Sequence, residues 1–349
     1  MPYPLGVIEG FYGRPWSWRD RHAQVAFLAQ VGLGTYIYAP KADSFLRKRW
    51  SEPWPAQHFS ELVALAETCR VSGVSWGLGL SPFELYRDYD SSGRKRLQAK
   101  LAEINSLKPD VLCVLFDDMR GDVPELAARQ AEIVHEIVRD SCAGQVIMCP
   151  SYYSYDPVLE KVFGARPVSY WEELGKRLDR GVGFFWTGDK VCSTGYRAAS
   201  VQQIAEQLGR APVLWDNYPV NDGARMSRRL HLQPFRERPS APVDWLGGHL
   251  VNPMNQAWLT RIPLVTLTGP AGAPAERFIR AARVCCPPAL VRLLSRDLEL
   301  FSGAGLDGIS EGDKCALLRE YGAVTHPCAL EICQWLRGEY AFDPACLTD

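Results

Sequence analysis

The 349-residue chain is short of most signals that assign a protein to a functional class at a glance. Its net charge is close to nil, with 39 Lys and Arg against 40 Asp and Glu. That balance gives no support to binding of nucleic acid or of a membrane surface. Short basic groups such as Arg47-Lys48-Arg49 and Arg94-Lys95-Arg96 read as solvated faces or local ligand contacts. No apolar run approaches a membrane span, and the opening Met1-Pro-Tyr-Pro-Leu-Gly has neither a basic start nor an apolar export segment. The eleven cysteines contain no C-x-x-C pair. The histidines (His22, His58, His135, His231, His249 and His326) form no H-x-H or H-E-x-x-H pattern, so no metal or other cofactor is expected. The cysteines are odd in number and scattered, and Cys69, Cys113 and Cys333 fall inside apparent core segments. Free thiols in a reducing cytoplasm fit that usage. A dinucleotide fingerprint, a Walker-type phosphate loop and a G-x-S-x-G elbow are all missing, which disfavours nucleotide binding and serine hydrolysis.

What is present is a repeated pattern. Short buried-strand signals at Leu5–Ile8, Thr35–Tyr38, Ser75–Leu80, Val111–Phe116, Gln145–Met148, Gly183–Trp186, Pro212–Trp215 and Gly247–Val251 are separated mostly by segments of helical periodicity. One helix is framed by Ser17 as its cap and Gly32 as its stop. Eight units of this kind over residues 1–268 predict an α/β fold of the (β/α)8, or TIM-barrel, type, with a doubly wound open sheet as the structural alternative. From residue 269 strand signals vanish, and residues 269–349 are expected to form a small all-helical C-terminal extension. It is a candidate for homodimer formation.

The stretch that organises the rest is Asp110-Val-Leu-Cys-Val-Leu-Phe-Asp-Asp-Met119. An unbroken apolar run stops at two adjacent carboxylates, as a barrel strand does when it delivers chemistry to the mouth. Solvated loop acids that end a strand and cap a helix are the plainer reading. In a barrel all strand exits converge, which would gather Glu9, Gly10, Lys41, Asp43, Asp117, Asp118, Tyr152, Tyr153, Trp186, Trp215, Asn217, Asp222 and Asn252. That set is rich in carboxylates, amides and aromatics and poor in phosphate or metal binders, which fits carbohydrate recognition and glycoside hydrolysis. The eleven tryptophans, several of them in loops, suit stacking against sugar rings, although burial is the commoner fate of Trp. Two-carboxylate retaining glycosidases usually take their acids, about 5 Å apart, from different strands. Adjacent acids suit substrate assistance better, with one carboxylate steering an N-acetyl group and the other moving the proton.

Six segments also resemble the signatures of glycoside hydrolase family 84, the O-GlcNAcases and related β-N-acetylglucosaminidases. They are Gly6-Val-Ile-Glu-Gly-Phe-Tyr-Gly-Arg-Pro-Trp16, Tyr36-Ile-Tyr-Ala-Pro-Lys-Ala-Asp43, Leu115-Phe-Asp-Asp118, Trp186-Thr-Gly188, Trp215-Asp-Asn-Tyr-Pro-Val-Asn-Asp222 and Asn252-Pro-Met-Asn255. The resemblance implies a (β/α)8 catalytic domain that retains configuration through an oxazoline intermediate, without a cofactor. It implies that Asp117 orients the 2-acetamido group and that Asp118 is the general acid/base. Gly10 and Lys41 would hold the 3-hydroxyl region, Asp222 and Asn252 the outer hydroxyls, and Asn217 the acetamido or hydroxyl region. Trp215 and Tyr153 would line the acetamido pocket. Asn255 competes with Asn252, and Tyr152 with Tyr153. The partner implied is β-linked N-acetylglucosamine on proteins or on small glycosides. A hexosaminidase of GlcNAc-terminated or hyaluronan-like glycans, and a glycan-binding relative without turnover, remain the alternatives.

Overall fold

In the computed structural model, which describes residues 3–238 and 243–348, eight parallel strands close into a barrel in sequence order. β1 (Leu5–Glu9) precedes α1 (Trp18–Val31), β2 (Thr35–Tyr38) precedes α2 (Ala56–Val71), β3 (Ser75–Leu80) precedes α3 (Ser91–Ser106), and β4 (Val111–Leu115) precedes α4 (Leu126–Asp140). β5 (Gln145–Cys149) is followed by two short helices, α5 (Val158–Phe163) and α6 (Tyr170–Arg177), and β6 (Gly183–Trp186) by α7 (Ala198–Leu208). Between β7 (Val213–Asp216) and β8 (Gly248–Val251) the described residues hold a single 3-10 turn, Met226–Arg228. α8 (Arg261–Thr268) then completes the barrel. The β1–β8 register, Leu5 to His249 and Val7 to Val251, closes the circle.

Local chemistry explains the boundaries. The Ser17 side chain accepts from the Asp20 amide at the start of α1, and Gly32 ends it in the left-handed region at φ 75°. Asp90 caps α3 in the same way, through the Gly93 amide. Every residue of β4 is buried, as a strand covered by helices outside and by other strands' side chains inside must be.

Four more helices follow: α9 (Pro274–Cys285), α10 (Pro288–Glu299), α11 (Glu311–Gly322) and α12 (Pro327–Leu336). They build a second apolar core with Leu230, Leu232, Met254, Leu259 and Ile262 from the barrel side. Polar contacts pin the same junction. The buried Glu331 carboxylate accepts from the amides of Trp258 and Leu259, and Trp335 Nε1 donates to the Ser227 carbonyl. Burial pushes the Glu331 carboxyl up to about 8. No helix among the described residues is long and apolar enough to cross a membrane.

Candidate active site

The C-terminal ends of the strands open into a cleft. All nine residues singled out above line it: Gly10 after β1, Lys41 after β2, Asp117 and Asp118 after β4, Tyr153 after β5, Trp215 and Asn217 at the end of β7, Asp222 in the following loop, and Asn252 after β8.

The two acids are held in different ways. Asp117 is buried, with one carboxylate oxygen, Oδ2, paired to Lys41 Nζ. Its other oxygen, Oδ1, is equally shielded and has no hydrogen-bond partner. Asp118 is half-buried and bracketed by two phenols. Tyr12 donates to Oδ2 at 2.7 Å and Tyr153 to Oδ1 at 2.9 Å. Asp118 sits in the left-handed region at φ 55°, so the chain turns instead of continuing the alternation of a strand. That turn is why two adjacent side chains both face the cleft. Arg47 fixes it from below, donating to the carbonyls of Asp117 and Asp118.

The opposite wall is a polar relay. Asn252 Oδ1 accepts from the Gly10 amide at 3.2 Å, and its Nδ2 donates to Asn217 Oδ1 at 2.9 Å. Trp215 Nε1 donates to the same Asn217 oxygen at 3.0 Å, and Asn217 Nδ2 donates to the Val191 carbonyl at 2.9 Å. Gly10 packs directly on the indole, where a Cβ would stand 2.4 Å from Trp215 Cζ2. Asp222 Oδ2 accepts from the Tyr12 amide at 2.7 Å. Burial, reinforced by the neighbouring Asp118 charge and opposed by Lys41, pushes its carboxyl up to about 6.

Two register questions have geometric answers. Tyr153 turns inward to Asp118, whereas Tyr152 turns outward and donates to the Gly164 carbonyl at 2.6 Å. Asn252 lines the cleft, whereas Asn255 ties down the β1 exit loop through the carbonyls of Tyr12 and Arg14.

Other strand-exit residues do not join the site. Glu9 is fully buried and saturated by Arg21 and the Tyr36 hydroxyl. Asp43 accepts from Tyr38 and Trp54 and lies 3.2 Å from His58. Trp186 is packed edge-on against Tyr155 and Trp171. The loop tryptophans Trp16, Trp50 and Trp54 are core residues, so Trp215 is the one tryptophan of the cleft wall.

Sequence reasoning passed over Tyr12 and Arg47. Tyr12 lies inside the Gly10–Gly13 loop, two residues past Gly10, a spacing that returns a side chain to the same face. Arg47 sits in a basic run read as a solvated face or a local ligand contact, without a structural role at the acids; it is 7% exposed, while Lys48 and Arg49 beside it are on the surface. Cys346 and Thr348 also reach the cleft, and nothing in the sequence near them marks that placement.

Known proteins resemble the chain in sequence and in fold. Residues 5–271 match the family model described as beta-N-acetylglucosaminidase. The Protein O-GlcNAcase of Rattus norvegicus and that of Mus musculus are each 29% identical over 257 residues, covering 71% of this chain and 28% of theirs. The chain therefore spans little more than a quarter of the length of these curated relatives. Among solved structures, a mutant of the O-GlcNAc hydrolase of Thermobaculum terrenum aligns with a TM-score of 0.76 at 26% identity, covering 97% of this chain and 74% of that one. CpGH84B aligns with the same TM-score at 20% identity, over 96% of this chain and 66% of that one, a likeness of fold.

Proposed function

The chain belongs to the beta-N-acetylglucosaminidase family, glycoside hydrolase family 84, and on that footing we propose that it is a retaining exo-β-N-acetylglucosaminidase of O-GlcNAcase type. In this reading it removes GlcNAc from Ser or Thr of proteins and from small β-GlcNAc glycosides. Residues 1–268 are the catalytic unit, and residues 269–349 are a helical extension docked on it and available for pairing two copies.

One observation carries the reading. Asp117 has one oxygen held by Lys41 and the other buried and unpartnered beside Asp118. A buried acceptor left open is costly unless a substrate completes it, and the N–H of a 2-acetamido group is the donor that would. With its N–H on Asp117 Oδ1, the acetamido group is aligned so that its carbonyl oxygen reaches the anomeric carbon. As that oxygen bonds to the carbon, the bond to the aglycone breaks, and Asp118 delivers its proton to the departing oxygen. The product is an oxazoline whose developing positive charge faces the Asp117 carboxylate. Asp118 then takes a proton from water as the water oxygen adds to the anomeric carbon and the ring opens. Two displacements retain the configuration. Tyr12 and Tyr153 hold Asp118 in both steps, each able to donate to the carboxylate or accept from the acid. The amides of Asn217 and Asn252, the Asp222 carboxyl and the Trp215 face would take the remaining sugar edges.

The test is hydrolysis of aryl β-N-acetylglucosaminides with leaving groups of graded acidity. Asp118→Asn should lose about 10²- to 10⁴-fold with the poorest leaving group and recover most of it with the best, because general acid assistance is then dispensable. Equal loss for every leaving group, or full activity, would remove Asp118 from the proton-transfer role. Thiols buried in the core without a disulfide, such as Cys69, Cys113 and Cys149, fit a cytoplasmic setting for the same activity.

A further inference from the structure

Away from the barrel mouth, Cys286, His326 and Cys328 converge so that their ligand atoms all lie within 4.8 Å of one another. Two helix ends bring them together. Cys286 is the C-cap of α9, His326 is the N-cap of α12, and Cys328 is the second residue of that helix. Both thiols belong to the core that the last four helices share with the barrel, and His326 reaches the cleft between α12 and the β1–α1 loop.

We propose that these three side chains form a zinc site that staples α9 to α12. Two thiolates and an imidazole are a donor set suited to a borderline-soft ion without geometric preference of its own. In tetrahedral zinc, with bonds of about 2.3 Å to sulfur and about 2.0 Å to nitrogen, neighbouring donors stand roughly 3.5–3.8 Å apart. The three donors therefore need to close by roughly an ångström at most. The fourth position falls to water on the cleft side, where His326 is half-exposed. On binding, each thiol passes its proton to solvent, and the ion with its two thiolates is then neutral, which suits the burial.

The surroundings favour loading. The thiols of Cys286 and Cys328 are hydrogen-bonded to each other, so the two sulfurs already lie side by side. Arg261 from α8 and Glu331, one turn further along α12, are the charged groups facing the cluster. The guanidinium supports the thiolates, and the carboxyl, pushed up to about 8, adds no full negative charge near neutrality. His326 Nδ1 accepts from the Cys328 amide at 3.2 Å. A metal that takes this lone pair displaces one helix cap, a modest cost beside the bonds formed.

The full chain, freed of any histidine tag and purified without chelator, should carry about one zinc by elemental analysis. After metal removal, cobalt(II) should produce a thiolate-to-cobalt charge-transfer band and the strong visible bands of tetrahedral cobalt. Zinc addition should raise the melting temperature by several degrees. Cys286→Ser and Cys328→Ser should each abolish the charge-transfer pattern. His326→Asn, which keeps a capping acceptor and so keeps the helix start, should weaken cobalt binding at least about tenfold. Cys142→Ser, at an exposed and distant thiol, should change nothing. Absence of cobalt bands in a folded metal-free chain would overturn the proposal. So would bands that survive Cys328→Ser, or a chain isolated with Cys286 and Cys328 joined as a disulfide. None of these readouts depends on glycosidase activity.

Discussion

Glu9 at the end of β1 and Asp117 just past β4 are buried carboxylates on the same rim of the barrel, each with a cation in contact. Their surroundings differ by one oxygen. Both oxygens of Glu9 are taken, by Arg21 through Nε and Nη2 and by the Tyr36 hydroxyl. Asp117 gives Oδ2 to Lys41 and leaves Oδ1 open. A saturated buried carboxylate can only hold the structure together, whereas an unsaturated one stores an unmet demand for a donor. Burial alone therefore does not separate Glu9 from Asp117; an open oxygen on a residue that lines the cleft does.

The widest separation between the two should come from neutralising each. Asp117→Asn should cost about 10²- to 10³-fold in kcat on an aryl β-N-acetylglucosaminide. Its stability loss should stay the smaller of the two, because water entering the cleft can reach Lys41. Glu9→Gln should cost about 3–5 kcal/mol in urea unfolding, since it strands the Arg21 guanidinium in the core. The folded fraction should turn over at close to the wild-type rate. If Glu9→Gln instead loses kcat with stability intact, the division between the two carboxylates fails.

Asp222 sharpens the contrast, because it is a cleft carboxyl whose charge the fold resists. A carboxyl pushed up to about 6 in the folded state binds protons more readily there than in the unfolded chain. Its contribution is most favourable below the unfolded pKa of about 4 and is lost as pH rises through about 6. Asp222→Asn, which can still accept from the Tyr12 amide, should therefore stabilise the protein above about pH 7. The gain is at most roughly 3 kcal/mol, lessened by solvent entering the cleft, and it should fade below about pH 4. Urea midpoints across that range measure it, and a gain that is flat with pH would exclude titration of Asp222 as its source.

Much of this architecture was legible in the chain because it rests on local rules. The apolar run before Asp117 marks a doubly covered strand, and Ser17 and Gly32 mark the ends of α1. What escaped is what alternation decides. Along an extended chain neighbouring side chains face opposite sides, so of Glu9 and Gly10, or of Tyr152 and Tyr153, one member faces the cleft and the other the helices. Residue type does not say which. Asp117 and Asp118 break that rule through the left-handed turn at Asp118, which no glycine or asparagine announces. Arg47 was hidden in a basic run whose other members are solvated. Cys286, His326 and Cys328 meet through the packing of two helix ends, and no single spacing in the sequence records it.

The smallest effect tests that alternation directly. Tyr152 and Tyr153 are adjacent, both buried, and both donate one hydroxyl hydrogen bond, to the Gly164 carbonyl and to Asp118 respectively. Replacing either with phenylalanine removes a single O–H and leaves the ring packing intact. Tyr152→Phe strands one carbonyl and should cost about 1 kcal/mol of stability with kcat unchanged. Tyr153→Phe leaves Asp118 with Tyr12 as its one phenol partner. A hydrogen bond to a carboxylate is worth about 1.5–3 kcal/mol, so kcat should fall at least about tenfold and the pH–rate profile should move with it. Stability should change less than for Tyr152→Phe, because the released carboxylate oxygen faces the cleft. Equal kcat losses in the two variants would mean that the aromatic pair acts as one packed unit and that the inward turn of Tyr153 has no catalytic consequence.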